Sequence, residues 1–176
     1  MKDEYPLDFR SINPNPEERL QQTPTPIILM LDRLQDPRNL GSLFRLADAC
    51  RLVGIYGFRC TVDPKASRTQ RAARHTLQYI PYQPLQELSQ VEALTQQYRP
   101  IALEYTNRSV PYYAYQQKDP CMLIIGNEQR GVSGDLLEMS VQSLHIPMLG
   151  MNSSMNVAVA SGIVLYHFLN CLDLRP

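Results

Sequence analysis

Three stretches of this 176-residue chain hold polar side chains where a plain hydrophobic core would not. In DPRNLGSLFRLADA, Asp36-Pro37 breaks an apolar run, Asn39 suits a helix N-cap, and Arg45 falls in the second turn beyond it. In LIIGNEQRGVSGDLL, Gly126 closes an apolar run and Glu128 is a carboxylate on a tight loop. Gly131 and Gly134 permit unusual backbone angles there, and Ser133 is placed to cap the next helix. In LHIPMLGMNSSMNVAVASGIVLYHF, Ile146-Pro147-Met148 leaves a strand, and Ser154 and Asn156 open a helix of small residues that another backbone can approach closely. Each stretch has an ordinary alternative. Arg45 suits a surface pair with Asp48 at i+3, the second stretch a turn with a capped helix, and the third tight helix-on-sheet packing.

Several familiar chemistries are missing. A dinucleotide or methyl-donor Rossmann site needs a glycine-rich turn after the first strand, yet QDPRNLGSLFR carries one glycine. No GxxxxGK[ST] phosphate loop occurs. His75, His145 and His167 fall in three different kinds of segment, which argues against a catalytic triad, and His145 reads as structural or exposed. Cys50, Cys60, Cys121 and Cys171 are widely spaced, so neither structural zinc nor a disulfide framework is expected, and no metal is assigned.

Charge is balanced overall, with 17 basic and 17 acidic residues, which argues against a protein that merely coats nucleic acid or an anionic membrane. The distribution is uneven. Residues 33–75 hold nine basic side chains against three acids, and fourteen of the basic residues in the chain are arginine, whose planar fork suits phosphate. Arg59, Lys65, Arg68, Arg71 and Arg74, with His75 after them, are the candidates for holding nucleic-acid phosphates; a solvated surface is the plain alternative. Tyr105, Tyr112, Tyr113 and Tyr115 are candidates for base stacking or for packing.

The elements that must position these residues alternate between strand and helix. Residues 1–26 are polar and proline-rich and read as an N-terminal arm with PEERLQQ as a short helix; one domain is expected over residues 27–176. Strands are expected at 27–34, 55–60, 77–81, 100–105, 121–127 and 144–148. Helices are expected from about 39 to 50, and near 67–74, 85–98, 134–140 and 154–170, with Pro84 starting the third. This pattern predicts an α/β fold, a mostly parallel sheet with helices on both faces, whose ligand lies at the carboxyl ends of the strands. No window is apolar enough to span a membrane and no secretion signal opens the chain, so a soluble, cytoplasmic protein is expected.

Taken in order, the three stretches resemble the motifs of the SpoU (TrmH-like) RNA ribose 2'-O-methyltransferases of the SPOUT superfamily: N-x-G-x-x-x-R at Asn39, Gly41 and Arg45, G-N-E-x-x-G at Gly126 to Gly131, and IPM followed by S-x-N-V-A-V-A at Ile146 to Ala160. The resemblance implies a C-terminal trefoil knot, a homodimer, and S-adenosylmethionine as methyl donor, with no metal. It places the donor at Leu103, Gly126, Ile146, Ser154 and Met155, the last replacing a common leucine. It implies that Arg45 acts on the ribose 2'-hydroxyl, with Asn39, Glu128, Ser154 and Asn156 positioning it, the ribose or the donor loops. A guanidinium is essentially never deprotonated, so stabilisation of developing alkoxide charge is the role that fits. Because the family usually builds its site across the dimer, Arg45 is expected to serve the donor held by the partner chain.

The implied substrate is RNA, with tRNA favoured over rRNA. Two alternatives stay open: a catalytically weak donor-binding protein acting as an RNA-binding or assembly factor, and an enzyme of the same fold that methylates a base nitrogen.

Overall fold

The computed structural model describes residues 21–172, so residues 1–20 of the expected arm and the last four residues lie outside it. Its core is a seven-stranded sheet in the order β3-β2-β1-β6-β4-β7-β5. The strands are β1 Thr25–Asp32, β2 Leu52–Phe58, β3 Tyr82–Leu85, β4 Arg99–Leu103, β5 Val110–Pro111, β6 Cys121–Ile125 and β7 Gln142–His145. All six pairings are parallel. Five helices are described: α1 Pro37–Ala49, α2 Ser67–Ala73, α3 Leu88–Thr95, α4 Gly134–Met139 and α5 Val157–Cys171.

The central strands read as unbroken apolar runs because both faces are covered. Ile27, Leu29 and Leu31 of β1, with Cys121, Leu123 and Ile125 of β6, enter a core closed by Leu40, Leu43 and Phe44 of α1 and Val164, Leu165 and Phe168 of α5. The alternate residues Ile28, Met30, Met122 and Ile124 enter a second core closed by Val91 of α3 and Leu136 of α4. Helices thus lie on both sides of the sheet, as the alternation predicts.

Local chemistry moves several boundaries. The expected strand at 77–81 is absent: Thr76–Gln78 is a turn of 3-10 helix, and the strand lies at 82–85. Pro84 therefore sits in a strand and starts no helix; β3 is an edge strand, where a missing N–H can be tolerated. Helix α3 begins later, where the Gln90 side chain accepts from the backbone nitrogens of Gln86 and Glu87 at 2.9 and 3.0 Å. The cap of α1 is Asp36, not Asn39: Asp36 accepts from the Arg38 nitrogen at 2.8 Å, and Pro37 occupies a first-turn position that needs no donor. Ser133 precedes α4 but makes no capping bond, and its buried hydroxyl has no hydrogen-bond partner among the described residues.

Candidate active site

Because the strands are parallel, β4, β6 and β7 deliver their carboxyl ends to one edge of the sheet. There Leu103, Gly126 and Ile146 line a cleft of about 1210 Å³ whose opposite wall is the segment before α5, with Ser154, Met155 and Asn156. All five residues assigned to the donor by resemblance therefore border one cavity.

The three motifs meet in a single hydrogen-bonded chain. Nδ2 of Asn39 donates to Oε1 of Glu128 at 2.9 Å, and Nδ2 of Asn156 donates to Oδ1 of Asn39 at 2.9 Å. Glu128 also accepts from the Asp36 nitrogen at 3.3 Å. Asn156 completes the chain from its other end: its Oδ1 caps α5 by accepting from Ala158 and Val159 at 2.9 and 3.3 Å. Moving the α1 cap to Asp36 frees the Asn39 amide for this bridge, and Asn39 is buried.

The loop after β6 is fastened by two acids outside the motifs, Asp32 and Glu104, and by Asn127 within one. Asp32, fully buried at the end of β1, accepts from the Ser133 nitrogen at 2.6 Å and from Arg33 at 3.0 Å. Glu104 accepts from the nitrogens of Val132 and Tyr105 at 2.9 and 3.0 Å. Asn127 donates to the Arg33 carbonyl at 2.8 Å and accepts from Gln129 and Arg130, while its backbone pairs twice with Gly131. A Cβ on Gly126 would stand 2.1 Å from the Gly131 carbonyl carbon, so the loop crosses itself there and only glycine fits. Asp32 and Glu104 did have a signal in the sequence: each is an acid that abruptly ends a buried apolar run, IILMLD and IALE.

Arg45 stands elsewhere. It is exposed on α1 and does not border the cleft, although Asn39 of the same helix does. Six residues separate the two, which turns Arg45 roughly 120° around the helix from Asn39. His145, read as structural, lines the cleft with Nδ1 3.0 Å from the Ser109 hydroxyl, and its ring meets that of Tyr105 edge to face at 5.0 Å.

The basic candidates divide. Arg68 and Arg71 share a second cleft with Arg38, whereas Arg59 is engaged inside its own chain, donating to the Gln86 carbonyl at 3.2 Å, 3.7 Å from Asp135 and lying over the Phe58 ring. Lys65 and Arg74 are exposed at either end of α2. Tyr112 and Tyr115 pack on His167 and Phe168 of α5, while Tyr105 and Tyr113 are exposed.

Residues 26–166 match the model of the SpoU rRNA Methylase family. The chain is 33% identical over 164 residues to the 23S rRNA (guanosine(2553)-2'-O)-methyltransferase RlmP of Bacillus subtilis (strain 168), covering 93% of this chain and 65% of that protein. It is 27% identical over 153 residues to the tRNA (guanosine(18)-2'-O)-methyltransferase of Aquifex aeolicus (strain VF5), covering 85% of this chain and 71% of that one. An AdoMet-bound rRNA methyltransferase from Sinorhizobium meliloti has a similar fold, with a TM-score of 0.78 and 28% identity over 86% of this chain and 59% of its own. The chain thus spans about two-thirds or less of two of these three proteins. With its three motifs joined at one cleft and the family match extending over most of its length, this chain belongs to the SpoU rRNA Methylase family.

Proposed function

We propose that this chain transfers a methyl group from S-adenosylmethionine to a ribose 2'-hydroxyl of RNA. The observation that carries the reading is the Glu128–Asn39–Asn156 chain, which ties all three motifs to the rim of one cleft. The cleft suits the donor chemically: Leu103, Ile146 and Val157 give it apolar wall for an adenine, and the loop crossing at Gly126 presents backbone polar groups. The relative from S. meliloti is AdoMet-bound, which supports the same donor here. When bound, the donor supplies an electrophilic methyl on a sulfonium that carries its own leaving group.

The residues of the chain would align the hydroxyl and manage its charge. Asn39 holds Glu128 and Asn156 in fixed relation, so that α1, the loop after β6 and the segment containing Ser154 and Met155 keep one geometry. Arg45 stabilises the developing alkoxide, and an RNA phosphate is the proposed proton acceptor. Since Arg45 does not border the cleft of its own chain, it would serve the donor of a second copy in a homodimer. Exposed Val159 and Tyr166 of α5 lie on one helical face, and Leu46 of α1 reaches within 3.7 Å of a Cβ placed on Gly162, so an apolar strip borders Arg45 where that copy would pack. The methyltransferase unit is taken as 27–176, in the cytoplasm, with a C-terminal trefoil knot. The strand order, in which β6 enters between β1 and β4 and β7 between β4 and β5, supports that threading.

tRNA is kept as the favoured substrate over rRNA, and the relatives divide between 23S rRNA and tRNA. The second reading, a donor-binding RNA-binding or assembly factor, draws on the absence of Arg45 from its own cleft. Labelled S-adenosylmethionine incubated with unmodified tRNA and, separately, rRNA decides between them. Label recovered as a 2'-O-methylnucleoside is the expected result; donor binding without transfer to either RNA would favour the second reading, and label on a base would overturn the ribose assignment.

A further inference from the structure

Gly41, the glycine of the first motif, closes a helix seam. A Cβ at this position would stand 2.4 Å from the Cβ of Ala72 and 2.8 Å from both the Ala73 nitrogen and the Thr69 carbonyl oxygen, so α1 and α2 meet backbone to backbone. Thr69 and Ala73 are fully buried in the seam, and the Thr69 hydroxyl donates to the Asp63 carbonyl at 3.0 Å. These contacts fix α2 although it is only seven residues long and lacks a side-chain cap.

On the outer side of the seam, Arg38 of α1 faces Arg68 and Arg71 of α2 across a cleft of about 570 Å³ that Ala72 also lines. Arg38 is preset by Asp36, which takes Nε and Nη2 at 3.2 and 2.9 Å. The guanidinium groups of Arg68 and Arg71, at i and i+3, have no hydrogen-bonding or ionic partner among the described residues. Three guanidinium groups therefore border one space with Asp36 the single acid bound to any of them, and their mutual repulsion is relieved by an anion with several acceptor oxygens. The planar fork matches a phosphodiester better than it matches a point charge.

Position adds to charge. Arg38, Ser42, Arg45 and Ala49 form one exposed stripe of α1, and seven residues place Arg38 about 10 Å along the axis from Arg45. We infer that the cleft between α1 and α2 binds a backbone phosphate of the RNA substrate within a few nucleotides of the ribose presented to Arg45, with Arg38 as the third anchor beside Arg68 and Arg71. The inference rests on the RNA methyltransferase reading and adds a place and a residue to it.

The test compares the unaltered protein with Arg38→Gln and with the double variant Arg68→Ala/Arg71→Ala, using an unmodified tRNA transcript titrated from low to high salt. Loss of this one phosphate contact should lower the slope of log affinity against log salt by about 0.7 to 0.9 in the double variant, and by no more than that in Arg38→Gln. Binding of S-adenosylmethionine should be unchanged in both, which also reports a folded donor site. Unaltered slopes in variants of a protein that methylates RNA would overturn the cleft assignment alone. Failure of the unaltered protein to bind or methylate any RNA would overturn the reading beneath it. Equal loss of binding to a polyglutamate peptide of matched charge would also overturn the inference, by reassigning the cleft to an acidic protein partner.

Discussion

A residue in this protein is placed by what its backbone position allows and by what its side chain must satisfy. Asn39 illustrates both: once Asp36 has taken the cap of α1, the Asn39 amide can donate to Glu128 and accept from Asn156 at the same time. Arg45 has the opposite placement, exposed and outside the cleft lining, so its removal should leave the donor site intact. Arg45→Ala is expected to lower methyl transfer at least about 100-fold with donor affinity unchanged, read by labelled-donor turnover and by calorimetry. All four non-glycine residues with positive φ among the described residues are arginines: Arg33, Arg51, Arg59 and Arg74. Arg74, at φ 57° and ψ −125° at the end of α2, is the clearest case of a site glycine would occupy with less strain. Arg74→Gly should stabilise the fold by about 1 kcal/mol, seen as a rise of a few degrees in Tm, while weakening RNA binding.

Elements here are fixed at their contacts more than by their propensities. Helix α2 lacks a side-chain cap and is short, yet the bare Cα of Gly41 lets it lie directly on α1. Gly41→Ala pushes a methyl group into the Ala72 side chain and the α2 backbone, and should cost about 1–3 kcal/mol in chemical denaturation. The arginine cleft should open as α2 shifts, so RNA affinity should fall more than donor affinity. Strand β3 and helix α3 show the same dependence on context. The segment LQYIP has a strand-like composition, but the chain there makes a 3-10 turn, and the pairing partners of β2 are supplied five residues later by Tyr82–Leu85.

At the scale of the whole molecule, two features make separate demands. Arg45 does not border the cleft of its own chain, which gives the proposed homodimer a direct test. Arg45→Ala and Ser154→Trp, the second placing a bulky ring at the cleft wall, should each be inactive, and their mixture should recover about a quarter of the original turnover if Arg45 acts across the interface. No recovery in a mixture shown by sedimentation to form mixed dimers would place Arg45 on its own chain's donor. The second demand comes from burial in the core beneath α1 and α5, which pushes the thiols of Cys50 and Cys121 up to about 12 and that of Cys60 up to about 11, from an ordinary 9.0. Between about pH 9 and 11 the unfolded chain releases these protons and the folded chain keeps them, so stability should fall as pH rises through that window. Denaturant midpoints at pH 7, 9 and 10 check the sign, and alkylation at pH 8 should reach Cys50 and Cys121 only on unfolding.

The sequence by itself determined the layers of the fold and which loops meet at the cleft. Unbroken apolar runs such as IILML require a strand covered on both faces, and strand–helix alternation requires parallel pairing, because a parallel neighbour can be reached only by a crossover. Asn39 of the first motif, together with the G-N-E and S-x-N segments, marked residues that line the cleft, whereas Gly41 and Arg45 of the same motif stand away from it. Tertiary structure decided what local pattern cannot carry. It passed the α1 cap to Asp36 and joined Asn39 to partners 89 and 117 residues away. It turned Asp32 and Glu104 into fasteners of the loop after β6, withdrew Arg59 to Asp135 and Phe58, and brought Arg38 to Arg68 and Arg71. The physical reason is common to these cases. Periodicity reports which face of an element is buried, whereas a polar side chain takes its partner from whichever distant segment the strand order sets beside it.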